Sequence, residues 1–181
     1  ASGTIYAEHY IRGCTQMRDI SLSVILTETA RTIWLRELGY DPEELISECR
    51  ASILPNDSFD APFCSGSAAA DTLLVLPCSM GALARIAGGL ASDAISRIAD
   101  VQLKERKQLI IVPRETPLSL IHLQNMQLLT QAGAVICPAS PSFYHKPATI
   151  DDLAESFVGR LLHMTGVKPL EKKYQWNNNQ D

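Results

Sequence analysis

The chain has 181 residues, of which 46% are hydrophobic and 20% are charged, and its formal net charge is -4. This length allows one well-filled hydrophobic core and is short for two ordinary domains, so we expect a single globular domain. The negative net charge and the lack of a long Lys or Arg run argue against a nucleic-acid-binding protein. No apolar stretch approaches the roughly 20 residues of a membrane span, so we expect a soluble protein without a membrane partner.

The five cysteines are scattered without a C-x-x-C pair, and Cys78 and Cys137 end apolar segments of strand length. Such cysteines are typical of reduced thiols in a hydrophobic core. Because no signal-peptide pattern opens the chain either, the sequence predicts a cytoplasmic protein. The four histidines lack metal-ligand spacing, so we predict no metal site.

Four short apolar segments predict β-strands, and each is followed by a polar or Gly-containing junction and a helical pattern. They are residues 21–27, 72–78, 108–113 and 134–138. This alternation indicates βαβ units around a parallel sheet. Three of the segments are nearly continuous in Val, Leu and Ile, which is typical of strands buried on both faces. The sequence therefore predicts an α/β fold.

Helical patterns follow the strands. We predict helices after the Ser79–Gly81 turn, over residues 92–107, from Pro117 to the residue before Gly133, and over residues 150–164. In the third helix, Pro117 suits the first turn, and four residues form much of an apolar face. These are Leu118, Ile121, Leu128 and Leu129. Residues 51–70 have no sustained period and predict a long functional loop.

Polar side chains follow each predicted strand. In open parallel sheets, ligands bind at the carboxyl ends of the strands, where helix N-termini present free N–H groups to anions. The residues expected there are Thr27, Ser79–Ala82, Arg114–Thr116, and residues 140–146 with Tyr144. Hydroxyls, a Gly turn, cations, a carboxylate and a phenol together suit a phosphorylated ligand with a planar ring.

Two cations precede the strand at 108–113. Arg97 and Lys104 are seven residues apart and therefore share one helix face. They could bind phosphate, or they could form a solvated polar stripe with Asp93 and Asp100 as ion-pair partners. Both interpretations fit this spacing.

Two pairs of adjacent residues each allow two interpretations. Arg114 and Glu115 could line the ligand site or form a surface pair that caps the next helix. Cys78 beside Ser79 could be a nucleophile, but it ends a strand and no histidine is near in sequence, which favours a buried thiol.

Over nearly its whole length the chain resembles the UbiX-type flavin prenyltransferases, within the wider family of flavin-containing cysteine-decarboxylase-like proteins. The strings that carry the resemblance are ASG (1–3), SGS (65–67), PCSMGALARIA (77–87), RIADVQLKER (97–106), VPRETPLSLIHLQNM (112–126) and AGAVICPASPSFYHKP (132–147). The resemblance implies a Rossmann-like or flavodoxin-like three-layer sandwich with a parallel sheet, in one domain over residues 1–167. It also implies a strand before Ala1.

The resemblance implies that reduced FMN receives a dimethylallyl group from dimethylallyl phosphate, at N5 and then C6, without a metal. The matching FMN-binding positions are Ala1, Ser2, Thr27, Ser79, Met80, Gly81, Ala82 and Arg97. The matching allylic phosphate site is Lys104, Arg114, Glu115, Tyr144 and Arg160. The candidate catalytic residues are Ser2, Glu37, Lys104 and Glu115. The three cations of the phosphate site, Lys104, Arg114 and Arg160, can stabilise the leaving phosphate in place of a metal.

The resemblance further implies a large homo-oligomer, such as a dodecamer, with sites between subunits, and a UbiD-type decarboxylase that uses the prenylated FMN. Residues 168–181 form a predicted tail, in which Trp176 could cover a neighbouring site or act as a packing anchor. Two other functions are considered. A flavin-dependent cysteine-type decarboxylase would carry a P-x-M-N-x-x-M-W string, and an FMN-binding electron carrier would not need cations around an allylic phosphate.

Overall fold

The computed structural model describes residues 1–15, 17 and 19–168. Helices and strands alternate along this part of the chain. The helices are α1 (Thr4–Thr15), α2 (Glu28–Leu38), α3 (Pro42–Glu48), α4 (Met80–Ala87), α5 (Ala94–Lys104), α6 (Leu120–Ala132) and α7 (Ile150–Met164). The strands are β1 (Ser23–Ile25), β2 (Ser52–Leu54), β3 (Thr72–Cys78), β4 (Gln108–Pro113) and β5 (Val135–Ile136). None of the described helices combines the length and the apolar character needed to cross a membrane.

The described strands form two parallel sheets. β1 pairs with β2, and β3, β4 and β5 are neighbours in that order. The β3–β4 register pairs Thr72 with Gln108 and Val75 with Ile111, and it shifts before Cys78 pairs with Pro113. All these pairs are parallel, so the carboxyl ends of β3, β4 and β5 lie at one edge.

The three-stranded sheet is covered by helices on both faces. Along β4, Ile110 and Val112 pack in one cluster with residues of α1 and α7. Leu109 and Ile111 belong to a second cluster with residues of α4, α5 and α6. Successive side chains of a strand point to opposite faces, so α7 and α5 lie on opposite sides of the sheet. This arrangement confirms the predicted α/β fold with a parallel sheet between helices.

The predicted boundaries are accurate for three of the elements. β3, β4 and α7 match the predicted ranges, whereas β1 and β5 are shorter than the apolar segments that predicted them. Residues 51–70 are not all loop. They contain β2 and two short 3-10 helices, Pro62–Cys64 and Gly66–Ala68. A strand of three residues, two of them exposed, is too short to show a period.

The predictions for α6 were partly wrong. Pro117 is not in its first turn, because Ser119 is the N-cap and accepts a hydrogen bond from His122 N. Leu129 is buried, but the other apolar residues assigned to its inner face are exposed. These are Leu118, Ile121 and Leu128. The helix packs through Met126 and Leu129 instead, so its outer face carries the remaining apolar side chains.

Helices α1 and α7 pack against each other as well as against the sheet. The Tyr6 and Phe157 rings meet edge to face at 5.1 Å, and the Tyr10 hydroxyl donates to Thr165 Oγ1 at 2.9 Å. Leu161 lies in the same cluster and has no exposed surface. This packing fixes the position of α7 relative to the sheet.

We expect Leu161→Ala to lower the free energy of unfolding by about 2–5 kcal/mol, because it leaves a cavity in a fully buried site. Urea denaturation followed by circular dichroism measures the change. His163→Ala, at an exposed position of the same helix, is the matched control and should change stability by less than about 0.5 kcal/mol. Equal losses in the two variants would contradict the assignment of Leu161 to the core.

Candidate functional site

The candidate site begins at the edge formed by the carboxyl ends of β3, β4 and β5. Backbone hydrogen bonds continue past the strands, from Arg114 N to Cys78 O at 3.2 Å and from Ala139 N to Pro113 O at 3.0 Å. These bonds fix the segments after the three strands next to one another. The predicted site residues that follow each strand are therefore held by main-chain contacts.

The segment after β3 begins helix α4 and presents backbone donors. Ser79 is the N-cap, and its hydroxyl accepts from Ala82 N at 3.2 Å. The N–H groups of Met80 and Gly81 have no acceptor within a helix that starts here. A Cβ added at Gly81 would meet only Arg85 Nη1, at 3.9 Å, so the chain leaves open space beside this turn. An anion could approach the backbone there.

The N-terminal segment is fixed by Glu37 of α2. The carboxylate accepts hydrogen bonds from Gly3 N at 3.0 Å, Thr4 N at 2.8 Å and Thr4 Oγ1 at 2.7 Å, and it also bonds the Ser2 side chain. Partial burial raises the pKa of Glu37, but these hydrogen bonds outweigh it and hold the pKa below its ordinary value. Glu37 therefore caps the start of α1 as an ionised group.

The N-terminal segment also lies near the end of β3, where Ala1 is close to Cys78. Thr27 is the N-cap of α2 and accepts from Ala30 N at 3.0 Å. Glu37 is ten residues further along, about 15 Å at 1.5 Å per helical residue. The structure thus brings Ala1 and Ser2 to the β3 edge, with Glu37 and Thr27 at opposite ends of α2.

A cleft of about 420 Å³ lies between the segment after β5 and helix α7. Its lining combines polar and aromatic side chains. The lining residues are Cys137, Pro138, Ser140, Ser142, Tyr144, His145, Ser156, Phe157 and Arg160. Ser156 and Arg160 are four residues apart on α7 and share its face. The volume is within the usual range of small-molecule sites.

The cleft has a positive edge. Arg160 is exposed and lies near Cys137, where burial raises the pKa of the thiol and the Arg160 charge partly opposes the rise. Arg114 lies near Tyr6, where burial raises the phenol pKa and the Arg114 charge opposes it. Among the described residues, neither arginine forms an ion pair. Both guanidinium groups can therefore bind an anion without first breaking a salt bridge.

Glu115 does not cap helix α6. Its carboxylate accepts from Thr116 N at 3.0 Å, while Ser119 caps the helix. The alternative in which Arg114 and Glu115 form a capping surface pair is therefore wrong for this chain. Both side chains are exposed beside the β4 end, where they can reach a ligand.

Arg97 and Lys104 lie on α5, apart from the cleft. Arg97 donates from Nε to Cys64 O at 3.2 Å and forms an ion pair with Asp100 at 2.9 Å. Lys104 contacts the Glu105 carboxylate, and a Cβ at Gly66 would lie 2.6 Å from Lys104 Nζ. The Arg97–Asp100 ion pair matches part of the polar-stripe alternative. The loop that contains Gly66 also packs closely on the Lys104 side chain.

A single copy therefore divides the predicted phosphate-binding residues between two faces of the sheet. Arg160 and Tyr144 line the cleft beside α7, and Arg114 is near α1. Lys104 belongs to α5, which covers the opposite face, and it is not among the residues that line the cleft.

Cys78 is fully buried, and burial raises the pKa of its thiol to about 12, against smaller lowering effects of a backbone hydrogen bond at Leu83 and of the Arg85 charge. It is thus a buried thiol rather than a nucleophile, as the sequence favours. No cluster of metal-ligating side chains is present in the part of the chain that the structure describes. Trp176 and the rest of the predicted tail after Lys168 lie outside the described residues.

Several cleft residues were not predicted individually from the sequence. Ser140, Ser142 and His145 lie in the segment that was expected to approach the ligand, but only Tyr144 was chosen there. Ser156 and Phe157 could have been found from their helical spacing to Arg160, which places all three on neighbouring positions of α7.

Comparison with known proteins shows the family of the chain. The model of the Flavoprotein family matches residues 1–162. A flavin prenyltransferase UbiX from Methanothermobacter thermautotrophicus is 40% identical over 171 residues, which cover 93% of this chain and 87% of that protein.

Two solved structures are similar over nearly the whole chain. AnUbiX, in complex with FMN and dimethylallyl pyrophosphate, has a TM-score of 0.89 and 37% identity, with 98% of this chain and 93% of the other covered. A dodecameric FMN-dependent UbiX-like decarboxylase from Escherichia coli O157:H7 has a TM-score of 0.91 and 32% identity, with coverage of 98% and 94%. The chain belongs to the Flavoprotein family, and within that family to the UbiX-type flavin prenyltransferases.

Proposed function

We propose that this protein is a flavin prenyltransferase, which transfers the dimethylallyl group of dimethylallyl phosphate to N5 and C6 of reduced FMN. The observation that carries the proposal is the similarity to AnUbiX, whose structure contains both FMN and dimethylallyl pyrophosphate. The cleft, its uncommitted arginines and the open helix N-terminus on this chain are the chemistry that two phosphorylated ligands require.

The residues at the β3 edge fit FMN. The N–H groups that open α4, the Ser79 hydroxyl and the space beside Gly81 suit an anionic or planar ligand that approaches the backbone. Ser2 is held at this edge through Glu37. We infer that FMN is bound by eight residues that belong to several elements of the fold. These residues are Ala1, Ser2, Thr27, Ser79, Met80, Gly81, Ala82 and Arg97.

Arg160, Tyr144 and Arg114 would bind the phosphate of the allylic donor. When the allylic C–O bond breaks, the phosphate leaves with the bonding electrons and its negative charge grows. Fixed guanidinium groups stabilise this charge more in the transition state than in the ground state, so they lower the barrier. Phe157, which also lines the cleft, would help to exclude water from the reactive allyl group.

Lys104 would reach this phosphate from a second copy of the chain. Within one copy it lies on the opposite face of the sheet from Arg160, so an assembly is the simplest way to bring these cations together. The dodecameric UbiX-like relative supports a homo-oligomer, and we propose that its sites lie between subunits. Arg97, on the same helix as Lys104, would act on FMN across the same contact.

Two carboxylates would have different roles. Glu115 is exposed beside Arg114 and would pass a proton to the departing phosphate or orient that arginine. Glu37 would act mainly as a positioning residue, because its oxygens already accept hydrogen bonds from the N-terminal segment. Through these bonds it fixes Ser2, the other proposed catalytic group.

We further propose a UbiD-type decarboxylase as the acceptor of the prenylated FMN, and the cytoplasm as the location. The predicted one-domain organisation, with residues 168–181 as a tail over a neighbouring site, belongs to the same proposal. The cysteine-type decarboxylase is disfavoured, because the β3 end reads PCSMGALARIA rather than P-x-M-N-x-x-M-W. An electron carrier would leave the cations around the cleft without a ligand.

The proposal predicts that the full chain, incubated without oxygen with reduced FMN and dimethylallyl phosphate, yields a flavin heavier by one five-carbon prenyl unit. Mass spectrometry of the extracted flavin gives the answer, and a parallel sample with the pyrophosphate identifies the donor. Unmodified FMN in both samples, from protein shown to bind FMN, would contradict the transferase function.

We expect Lys104→Ala to lower kcat/KM for the allylic phosphate by about 100-fold or more, because one cation that stabilises the leaving group is lost. Lys107→Ala is the matched control, since this nearby lysine forms only a surface ion pair with Asp71. Steady-state assays of prenylated FMN formation measure both. Similar rates in the two variants would argue against a role of Lys104 at the phosphate.

Glu37→Gln should destabilise the fold at neutral pH, because the amide presents fewer acceptors to the N-terminal segment. The folded-state pKa lies below the ordinary 4.5, so the ionised group adds stability above pH 4.5, and this stability is lost as pH falls through the folded pKa. Urea denaturation at pH 7 and at lower pH should show the difference from wild type shrinking on acidification. Glu44→Gln, at an exposed site of α3, is the control. A difference that grows at low pH would contradict this role.

A further inference from the structure

The segment that contains α6 is unusual in its charge. Residues 116–145 include no Asp, Glu, Lys or Arg, although charged residues make up 20% of the chain. A solvated helix normally carries charges on its outer face. The cores of protein–protein interfaces are instead depleted of charged residues.

The outer face of α6 is apolar as well as uncharged. Leu120 is 69% exposed and Ile121 66% exposed, and Leu123 and Leu128 are also largely exposed. The exposed glutamines of the helix lie between these side chains. They are Gln124, Gln127 and Gln131. We call these seven residues the α6 face.

The inner side of the helix already accounts for its packing within the chain. Met126 and Leu129 contact the cluster formed with α4 and the sheet. In the described part of the chain, the α6 face therefore lies outside the core clusters. Exposing several Leu and Ile side chains in one patch is unfavourable in water, so such a patch marks a contact surface.

We propose that the α6 face is a contact surface for a second copy of this chain, which makes it one of the interfaces of the proposed homo-oligomer. The inference rests on the proposed function for the existence of an assembly, and it names the surface that forms it. An uncharged face suits self-association, because identical acidic copies meet there without like charges opposed. The glutamine amides can donate and accept across such a contact.

A membrane surface is a less suitable partner for the α6 face than a second copy of the chain. Helices that lie on membranes combine an apolar face with Lys or Arg on the polar face. α6 has neither Lys nor Arg, and its apolar side chains alternate with amides. The chemistry of the face therefore matches another protein copy.

The position of the α6 face links assembly to the candidate site. Arg114 and Glu115 are only a few residues before Leu120, and they are exposed at the β4 end. A second copy seated on the face would lie beside these two groups and reduce their contact with water. Ionic interactions with a phosphate are stronger in such surroundings.

The test compares the mass of the full-length wild-type assembly with that of Leu120→Glu, by light scattering during size-exclusion chromatography. Leu120 is the first residue of α6, where a carboxylate is compatible with the helix dipole, so the variant should fold. We expect a shift to species of at most half the wild-type mass. Leu128→Lys, which places a cation in the second half of the helix, should give the same shift.

Ile150→Glu is the matched control, because Ile150 is also the first residue of a helix and is 74% exposed. It should keep the wild-type mass. Circular dichroism shows whether each variant is folded. Wild-type mass in both folded α6 variants, or an equal loss of mass in the control, would overturn the proposal.

The same samples separate this inference from the proposed function. Wild-type protein that is monomeric but forms prenylated FMN would overturn the interface alone. An oligomer that dissociates in the α6 variants but makes no prenylated FMN would overturn the transferase function and leave the interface standing.

Discussion

The parallel direction of β3, β4 and β5 is the constraint on which the rest of the molecule depends. Their carboxyl ends lie at one edge, and backbone bonds beyond the strands fix Ser79, Arg114 and Ala139 side by side. The polar and charged residues of the candidate site follow the strands, so these main-chain hydrogen bonds fix their relative positions. Helices on the two faces then place Arg160 and Lys104 on opposite sides of the sheet.

The sequence predicts β3 and β4 well because each contains an uninterrupted run of Val, Leu and Ile. Polar residues precede both runs, so composition marks where the strands begin. The prediction for α6 was wrong because it assumed that apolar periodicity must face the core of the same chain. Leu129 does so, but Ile121 and Leu128 do not. One sequence cannot distinguish a surface buried by its own chain from one that another copy could cover.

The candidate site could be predicted as a set of residues but not as an arrangement. Strand order along the chain indicates which polar residues follow strands. It does not indicate that Arg97 and Lys104 lie across the sheet from Arg160. The contact between Glu37 and the N-terminal segment joins positions more than thirty residues apart, for which the sequence carries no local signal. Only the resemblance to a family named Glu37, and the structure supplies its hydrogen-bonding partners.

The burial of Cys78 has a chemical consequence for a protein that handles reduced flavin. Reduced flavins react with oxygen to give peroxide, and peroxide oxidises cysteine through the thiolate. With a pKa of about 12, the Cys78 thiol is almost entirely protonated at neutral pH, and Cys137 beside the cleft also has a raised pKa. Both thiols are thereby kept in the protonated form, which is the less oxidisable one.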